Sequence, residues 1–287
     1  MRTLLSMLLT SVIIFSASSQ NVKKSWLKVL ENCGKSEIMG KNTVFFGPSN
    51  SIGLGSIWRK TEDKGYNPRF ELAALFQDSL IRNRMIKLGT KAEKCTNSKN
   101  VKWNAKVNLA MLGPIFGLNG LDISLRNVRK TVVSVDNLAL DLLLEVPFEQ
   151  AIKNLATTQP ENPFLQDILS HDGRLLVTKA YRLSALTVKL TYDAKDLEAL
   201  KDKYPTGATI NLGGESGLGF DVGYSSDKEM ILTLSTDVYI AGELSRLSTN
   251  GTINLNNQND LKLELIPIKV EDGNIVGKIE GLQTVGK

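Results

Sequence analysis

The stretch Val101-Lys102-Trp103-Asn104-Ala105-Lys106-Val107-Asn108-Leu109-Ala110-Met111 places an apolar side chain at every odd position, and Lys or Asn at every even position but the last. Successive side chains of a strand point to opposite faces, so this strand has one apolar face and one wet, cationic face. Such a strand either covers a soluble core or separates lipid from water. Downstream, Gly113-Pro114 and Gly117-Leu118-Asn119-Gly120 supply a turn. Leu121, Ile123 and Leu125 then alternate with Asp122, Ser124 and Arg126 and lead to the β-branched run Thr131 to Val135. Val101 to Val135 reads as an amphipathic antiparallel pair. Its tip, Gly113 to Gly117, carries no charge and is expected to pack or insert rather than face water.

Outward from this pair, Thr43 to Trp58 alternates apolar bursts with turn and bulge signals, and Leu72 to Leu88 has the spacing of a helix. Gly53-Leu54-Gly55 lacks a third spaced glycine and a following acidic residue, so it is not a dinucleotide loop. Pro147 and Asn162-Pro163 are start signals for two short helices, and Asp193 is placed to cap a third over Ala194 to Lys203. A second strand pair is expected from Arg174 to Tyr192, where Leu186, Val188, Leu190 and Tyr192 alternate with polar residues. Further strands fall at Ala208 to Leu212, Phe220 to Tyr224, Met230 to Ile240 and Leu261 to Leu265. The prediction is an α+β fold: a twisted, mainly antiparallel mixed sheet with short helices packed around it, forming one domain over 20–267.

Arg2, the apolar run Leu4 to Phe15 and the small residues Ser16-Ala17-Ser18-Ser19 have the layout of a secretory signal peptide over 1–19. The apolar centre is too short to cross a bilayer, which takes about 20 residues. The expected location is therefore secreted or periplasmic. Apolar residues at 42% and charged residues at 23% match ordinary globular usage, so the chain is not read as disordered. The net charge is +5, or +4 once Arg2 leaves with the leader, too small a basic field for a nucleic-acid partner.

Cys33 and Cys95 are the only cysteines, and Cys95 lies in the polar run Lys94-Cys95-Thr96-Asn97-Ser98. In an oxidising compartment they are candidates for a disulfide, worth about 4 kcal/mol in the chain-entropy account. Ahead of Cys33, Val22 to Asn32 reads as a short amphipathic helix. It either caps the domain or lies on a membrane surface, in which case Lys23, Lys24, Trp26 and Lys28 form the candidate surface facing anionic headgroups.

Chemistry is sparse. His171 is the lone histidine and precedes Asp172-Gly173, which suits a helix C-cap better than a general base. Asp136, Asp141 and Glu145 read as solvated charges rather than an acid/base pair. No nucleophile elbow, phosphate loop or metal-ligand spacing occurs, so neither an enzyme nor a cofactor is expected.

The order of elements from Lys102 to Leu244 is more telling. An amphipathic strand pair, two short helices containing Asn162-Pro163-Phe164, a second pair beginning Leu175-Leu176-Val177-Thr178, and Gly-rich strands are followed by a separate tail, 268–287. This order resembles that of bacterial gasdermins. The resemblance implies a pore-forming, self-oligomerising protein restrained by its C-terminal tail, and the mild positive charge makes an anionic lipid membrane the expected partner. Val101, Trp103, Val107, Leu109 and Met111 would then form a membrane-facing strand, with Lys102, Asn104 and Lys106 facing water. The chain departs from the family in its signal peptide and in having Cys33 far from the N-terminus, where family members often carry an acylated cysteine. The alternative is a secreted soluble α+β binding or structural domain, in which the same apolar faces pack under helices.

Overall fold

Alternation governs the strands. In Thr187-Val188-Lys189-Leu190-Thr191 the two apolar side chains are buried and the three polar ones half-buried, as a pleated strand with one face on a core requires. A computed structural model describes residues 29–30, 33, 43–49, 52–60, 66–94, 103–104, 127–171, 174–212, 218–234, 236–249 and 263–269. Its strands are β1 (Thr43–Ser49), β2 (Ile57–Lys60), β3 (Tyr66–Phe70), β4 (Ile86–Lys94), β5 (Trp103–Asn104), β6 (Lys130–Ser134) and β7 (Asn137–Leu143). They continue as β8 (Arg174–Ser184), β9 (Thr187–Thr191), β10 (Thr209–Leu212), β11 (Leu218–Tyr224), β12 (Glu229–Leu234), β13 (Val238–Thr249) and β14 (Leu263–Pro267). Its helices are α1 (Leu72–Leu75), α2 (Ser79–Met85), α3 (Glu145–Thr158), α4 (Pro163–Ser170) and α5 (Ala194–Lys203).

The chain has an α+β fold, as its pattern predicts, with the strands divided between two sheets. Every described pairing is antiparallel. In the first sheet β8 has β13 along one edge and shares its other edge between β2 and β7; β3 extends β2, β4 extends β7, and β1 and β14 both pair with β13. The second sheet runs β10-β11-β12-β9-β6-β5 and forms no closed barrel among the described residues.

The two sheets share their strand order. The neighbours β13-β8-β7-β4 of the first are the chain continuations of β12-β9-β6-β5 in the second. The interruptions line up: Ser134 pairs with Thr187 on one side, Asn137 with Ser184 on the other, and Val238 with Leu183 beyond the gap that follows Leu234. Three adjacent strands are thus broken along one transverse line; the link between β4 and β5 lies outside the described residues. At that line Ala185 takes φ +54°, a left-handed conformation that disfavours any side chain with a Cβ. A bridging hydrogen bond persists from Asp136 N–H to the Ser184 carbonyl, at 3.3 Å.

Burial forms two cores. One core runs across the break: it gathers Val133, Val188, Leu190, Phe220, Met230 and Leu232 of the second sheet and Leu197 and Leu200 of α5 with Leu138, Tyr181, Leu183, Ile240 and Ala241 of the first sheet. The other packs Trp58, Leu176 and Val177 of the first sheet against Phe148 and Ile152 of α3 and Leu165 and Ile168 of α4. Asn162 caps α4 as its sequence position predicts, its Oδ1 accepting from Phe164 N–H at 3.0 Å and Leu165 N–H at 3.1 Å. His171 stands at the C-cap of the same helix.

Three local expectations are corrected. Leu72 to Leu88 is not one helix: Asp78 accepts from Leu80 N–H at 2.8 Å and starts α2 afresh, and the chain turns to strand at Ile86. Arg174 to Tyr192 is not a hairpin, because β8 and β9 pair in different sheets and the chain passes straight across the break between them. Asp193 occupies the N-cap of α5 without capping it; its carboxylate instead takes Arg129, at 2.5 Å from Nη2. Both partners are largely exposed, so that ion pair contributes little.

Tyr192 is buried, with no hydrogen-bond partner for its hydroxyl among the described residues. Burial, then the neighbouring Tyr224 and Tyr204, push its phenol well above the ordinary value of about 10. A raised phenol favours the neutral folded form, so its stabilising effect is complete below pH ~10 and is lost as pH rises beyond it. Tyr192→Phe is expected to match or exceed wild-type stability by up to about 1 kcal/mol in urea unfolding at neutral pH. It should also lose part of the alkaline decline seen in thermal unfolding above pH ~10.

Candidate functional site

The residues singled out by sequence are placed unevenly. Trp103 lies in β5 with its Cα opposite Thr131 of β6, which is the antiparallel pairing expected for the two arms of the 101–135 segment. Val101, Val107, Leu109 and Met111 lie outside the described residues, as do Lys23, Lys24, Trp26, Lys28 and Cys95. Cys33 is buried in the first of the two cores, with Val29 and Leu30. Among the described residues no group of three His, Cys, Asp or Glu could hold a metal ion, and no helix is long and apolar enough to cross a membrane.

The sequence contains a second amphipathic element that spacing alone misassigns. Breaking 72–88 into α1, α2 and β4 turns Leu80, Ile81 and Leu88 outward, and Val146 joins them on the first turn of α3. These four are the large apolar side chains left exposed among the described residues, with Leu80 at 67% and Leu88 and Val146 at 62%. They sit on adjoining elements: Leu144 N–H donates to the Met85 carbonyl at 2.7 Å, and Ile86 pairs with Leu143. Arg84 and Lys87, both exposed, lie among them and form no ion pair with the described residues. Arg82 is spent locally, donating to the Phe76 and Gln77 carbonyls at 2.5 and 2.6 Å. Scattered exposed apolar residues need no explanation, but these four, on adjoining elements with two exposed cations that form no ion pair among the described residues, make up the candidate interaction ridge of the described surface.

Beneath the ridge lies a charge cluster that the sequence does not announce. Asp141, expected to be solvated, has no exposure at all. Strand alternation explains the correction: Asp141 shares the inward face of β7 with Ala139 and Leu143, both buried. Its Oδ2 accepts from Arg182 Nε of β8 at 2.7 Å and from the Tyr239 hydroxyl of β13 at 3.0 Å. Its Oδ1 accepts from Gly89 N–H of β4 at 2.7 Å. The Arg182 Nη1 also pairs with Asp237, in the link between β12 and β13. Four strands thereby each contribute one group, within a few residues of the transverse break.

The donors are shaped for this contact. Between the pairs Lys87↔Leu142 and Lys91↔Leu140, three residues of β4 stand opposite Asp141 alone, a bulge that aims the Gly89 N–H inward. Gly89 takes φ +63°, which suits glycine. The Tyr239 ring lies against Gly53, where an added Cβ would sit 2.1 Å from the ring. Burial first, and then the negative charge of Asp141, raise the Tyr239 phenol above its ordinary range, so it remains a donor at physiological pH.

Arg182→Met leaves the Asp141 carboxylate buried without its counter-charge and is expected to cost about 3–5 kcal/mol in urea unfolding. Tyr239→Phe removes one donor to the same carboxylate and is expected to cost about 1–3 kcal/mol. A loss of less than about 1 kcal/mol in Arg182→Met would show that Asp141 is hydrated in solution.

No protein-family model and no curated protein matches the chain. Among solved structures, that of a bacterial gasdermin from Bradyrhizobium tropiciagri matches with a TM-score of 0.43 and 10% identity, over 84% of this chain and 94% of that one.

Proposed function

We propose that the protein is a secreted or periplasmic, non-enzymatic, membrane-active protein that docks on anionic lipid and self-assembles there. The exposed ridge of Leu80, Ile81, Leu88 and Val146 around Arg84 and Lys87 carries this reading. Apolar side chains gain about 25 cal/mol per Å² on leaving water for the acyl boundary. Each nearby cation adds about 1 kcal/mol on a negatively charged leaflet. In the finer, gasdermin-like form of the proposal, docking is followed by rearrangement of the 101–135 segment. Val101, Trp103, Val107, Leu109 and Met111 then face lipid, and the tail 268–287 restrains that step in the resting protein. A closed set of strands satisfies its backbone hydrogen bonds in a bilayer without any long apolar helix.

A second reading, a secreted soluble binding or structural domain, is favoured by β9, whose Val188 and Leu190 are both consumed by the core. Vesicles separate the two. Full-length protein should sediment with phosphatidylserine-containing vesicles, weaken as salt rises, and ignore pure phosphatidylcholine. Combined Arg84→Glu and Lys87→Glu should lower partitioning by at least about tenfold. Leakage should increase when residues 270–287 are removed. Absence of both binding and leakage in both forms leaves the soluble domain as the function.

The secreted location carries a second expectation, a Cys33–Cys95 bridge. Titration of denatured, unreduced mature protein should find no thiol; two thiols would reject both the bridge and the oxidising compartment.

A further inference from the structure

We infer that the Asp141 cluster is a latch that couples lipid contact at the ridge to parting of β4 from β7, an inference that rests on the membrane reading above. Three observations join the two features. Leu88, exposed on the ridge, is the immediate chain neighbour of Gly89, whose N–H is held by Asp141 Oδ1 at 2.7 Å. The bulge that contains both is tied down locally by that bond and by the Thr90 hydroxyl, which donates to the Leu140 carbonyl at 2.9 Å. Three of the four strands that supply the cluster, β7, β8 and β13, are already interrupted a few residues away, along the line marked by Ala185.

The sequence of events follows from the chemistry of a buried carboxylate. Drawing Leu88 into lipid moves the adjoining peptide away from Asp141 and removes one of its three donor groups. A carboxylate short of donors draws in water, and water beside β7 competes for the backbone bonds between β4 and β7. The β7–β8 side stays closed, because Arg182 holds Asp141 from β8 and Asp237 holds Arg182 from the β12–β13 link. Opening is thus directed to one ladder. That ladder leads into β5 and the amphipathic 101–135 segment. A ligand shifts such an equilibrium only by its differential affinity for the two states, and an inserted Leu88 supplies that difference.

Hydrogen exchange on the full chain tests the latch. Asp141→Asn keeps the side-chain volume while removing the charge. In solution it should exchange about tenfold faster over 86–94 and 137–143, with 218–234 unchanged. Gly89→Ala has open space for its Cβ but an unfavourable φ, so it should give the same local pattern with the charges intact, and it serves if Asp141→Asn does not fold. Wild-type protein on phosphatidylserine–phosphatidylcholine vesicles should show that pattern too, and on phosphatidylcholine alone should not. Leu88→Asp should abolish the vesicle-induced change and leave solution exchange as in wild type. Uniform acceleration in both Asp141→Asn and Gly89→Ala, or no acceleration in either, overturns the latch. So does wild-type protein that binds vesicles with 86–94 still protected. Failure of wild type to bind vesicles at all, with local opening in Asp141→Asn, overturns the membrane reading and the coupling but leaves the solution latch standing.

Discussion

A carboxylate without access to water has to recover its hydration from donors within the protein, and Asp141 recovers it from β4, β8 and β13 at once. That requirement fixes the relative position of strands far apart in sequence. The bulge in β4, the glycine at its apex and the approach of the Tyr239 ring to Gly53 are consequences of bringing donors to one point. Arg182 lies between two carboxylates, Asp141 and Asp237, so the cluster keeps a net negative charge and depends on its geometry being complete. Buried ionic groups of this sort are a weak source of stability but a strong penalty on wrong arrangements.

The transverse break gives that constraint its setting. An unbroken sheet transmits its register along every strand, and a slip at one end moves the other. Here β7, β8 and β13 give way to β6, β9 and β12 along one line; one core lies beneath α3 and α4, and the other, beside α5, runs across the line and joins the two sheets. Ala185 bears the cost of the passage in its backbone, as a side chain held in a left-handed conformation by the strands on either side of it. The Asp141 cluster stands on the first-sheet side of this line, within a few residues of the strand ends.

The ridge obeys a different rule. Exposed leucine and valine are tolerated singly on any surface, but Leu80, Ile81, Leu88 and Val146 are kept together, beside cations that no carboxylate neutralises among the described residues. An apolar surface in that charge setting suits a negatively charged, partly apolar partner, which is the chemistry of an anionic bilayer surface. It is also the outer side of the bulge whose inner side feeds Asp141, so surface and interior meet at one peptide.

Much of the architecture was legible in the residues themselves. Period-two alternation marked β9, the β-branched run Thr131 to Val135 marked β6, and the Asn162-Pro163 start signal placed α4, because all depend on local geometry that side-chain order records directly. The α+β class followed from the succession of these elements. What the sequence could not decide was partnership. The 174–192 stretch alternates like a hairpin, yet β8 and β9 belong to different sheets, since alternation specifies which face is apolar and not which strand lies alongside. Leu72 to Leu88 has helical spacing, but the Asp78 cap and the pairing of β4 with β7 override it and turn Leu80 and Leu88 outward. Asp141 looks like any solvated acid until three other strands close over it, because burial is a property of the assembled sheet. Local periodicity is written in the chain, whereas a charge becomes costly, and therefore structurally decisive, only when tertiary packing excludes water from it.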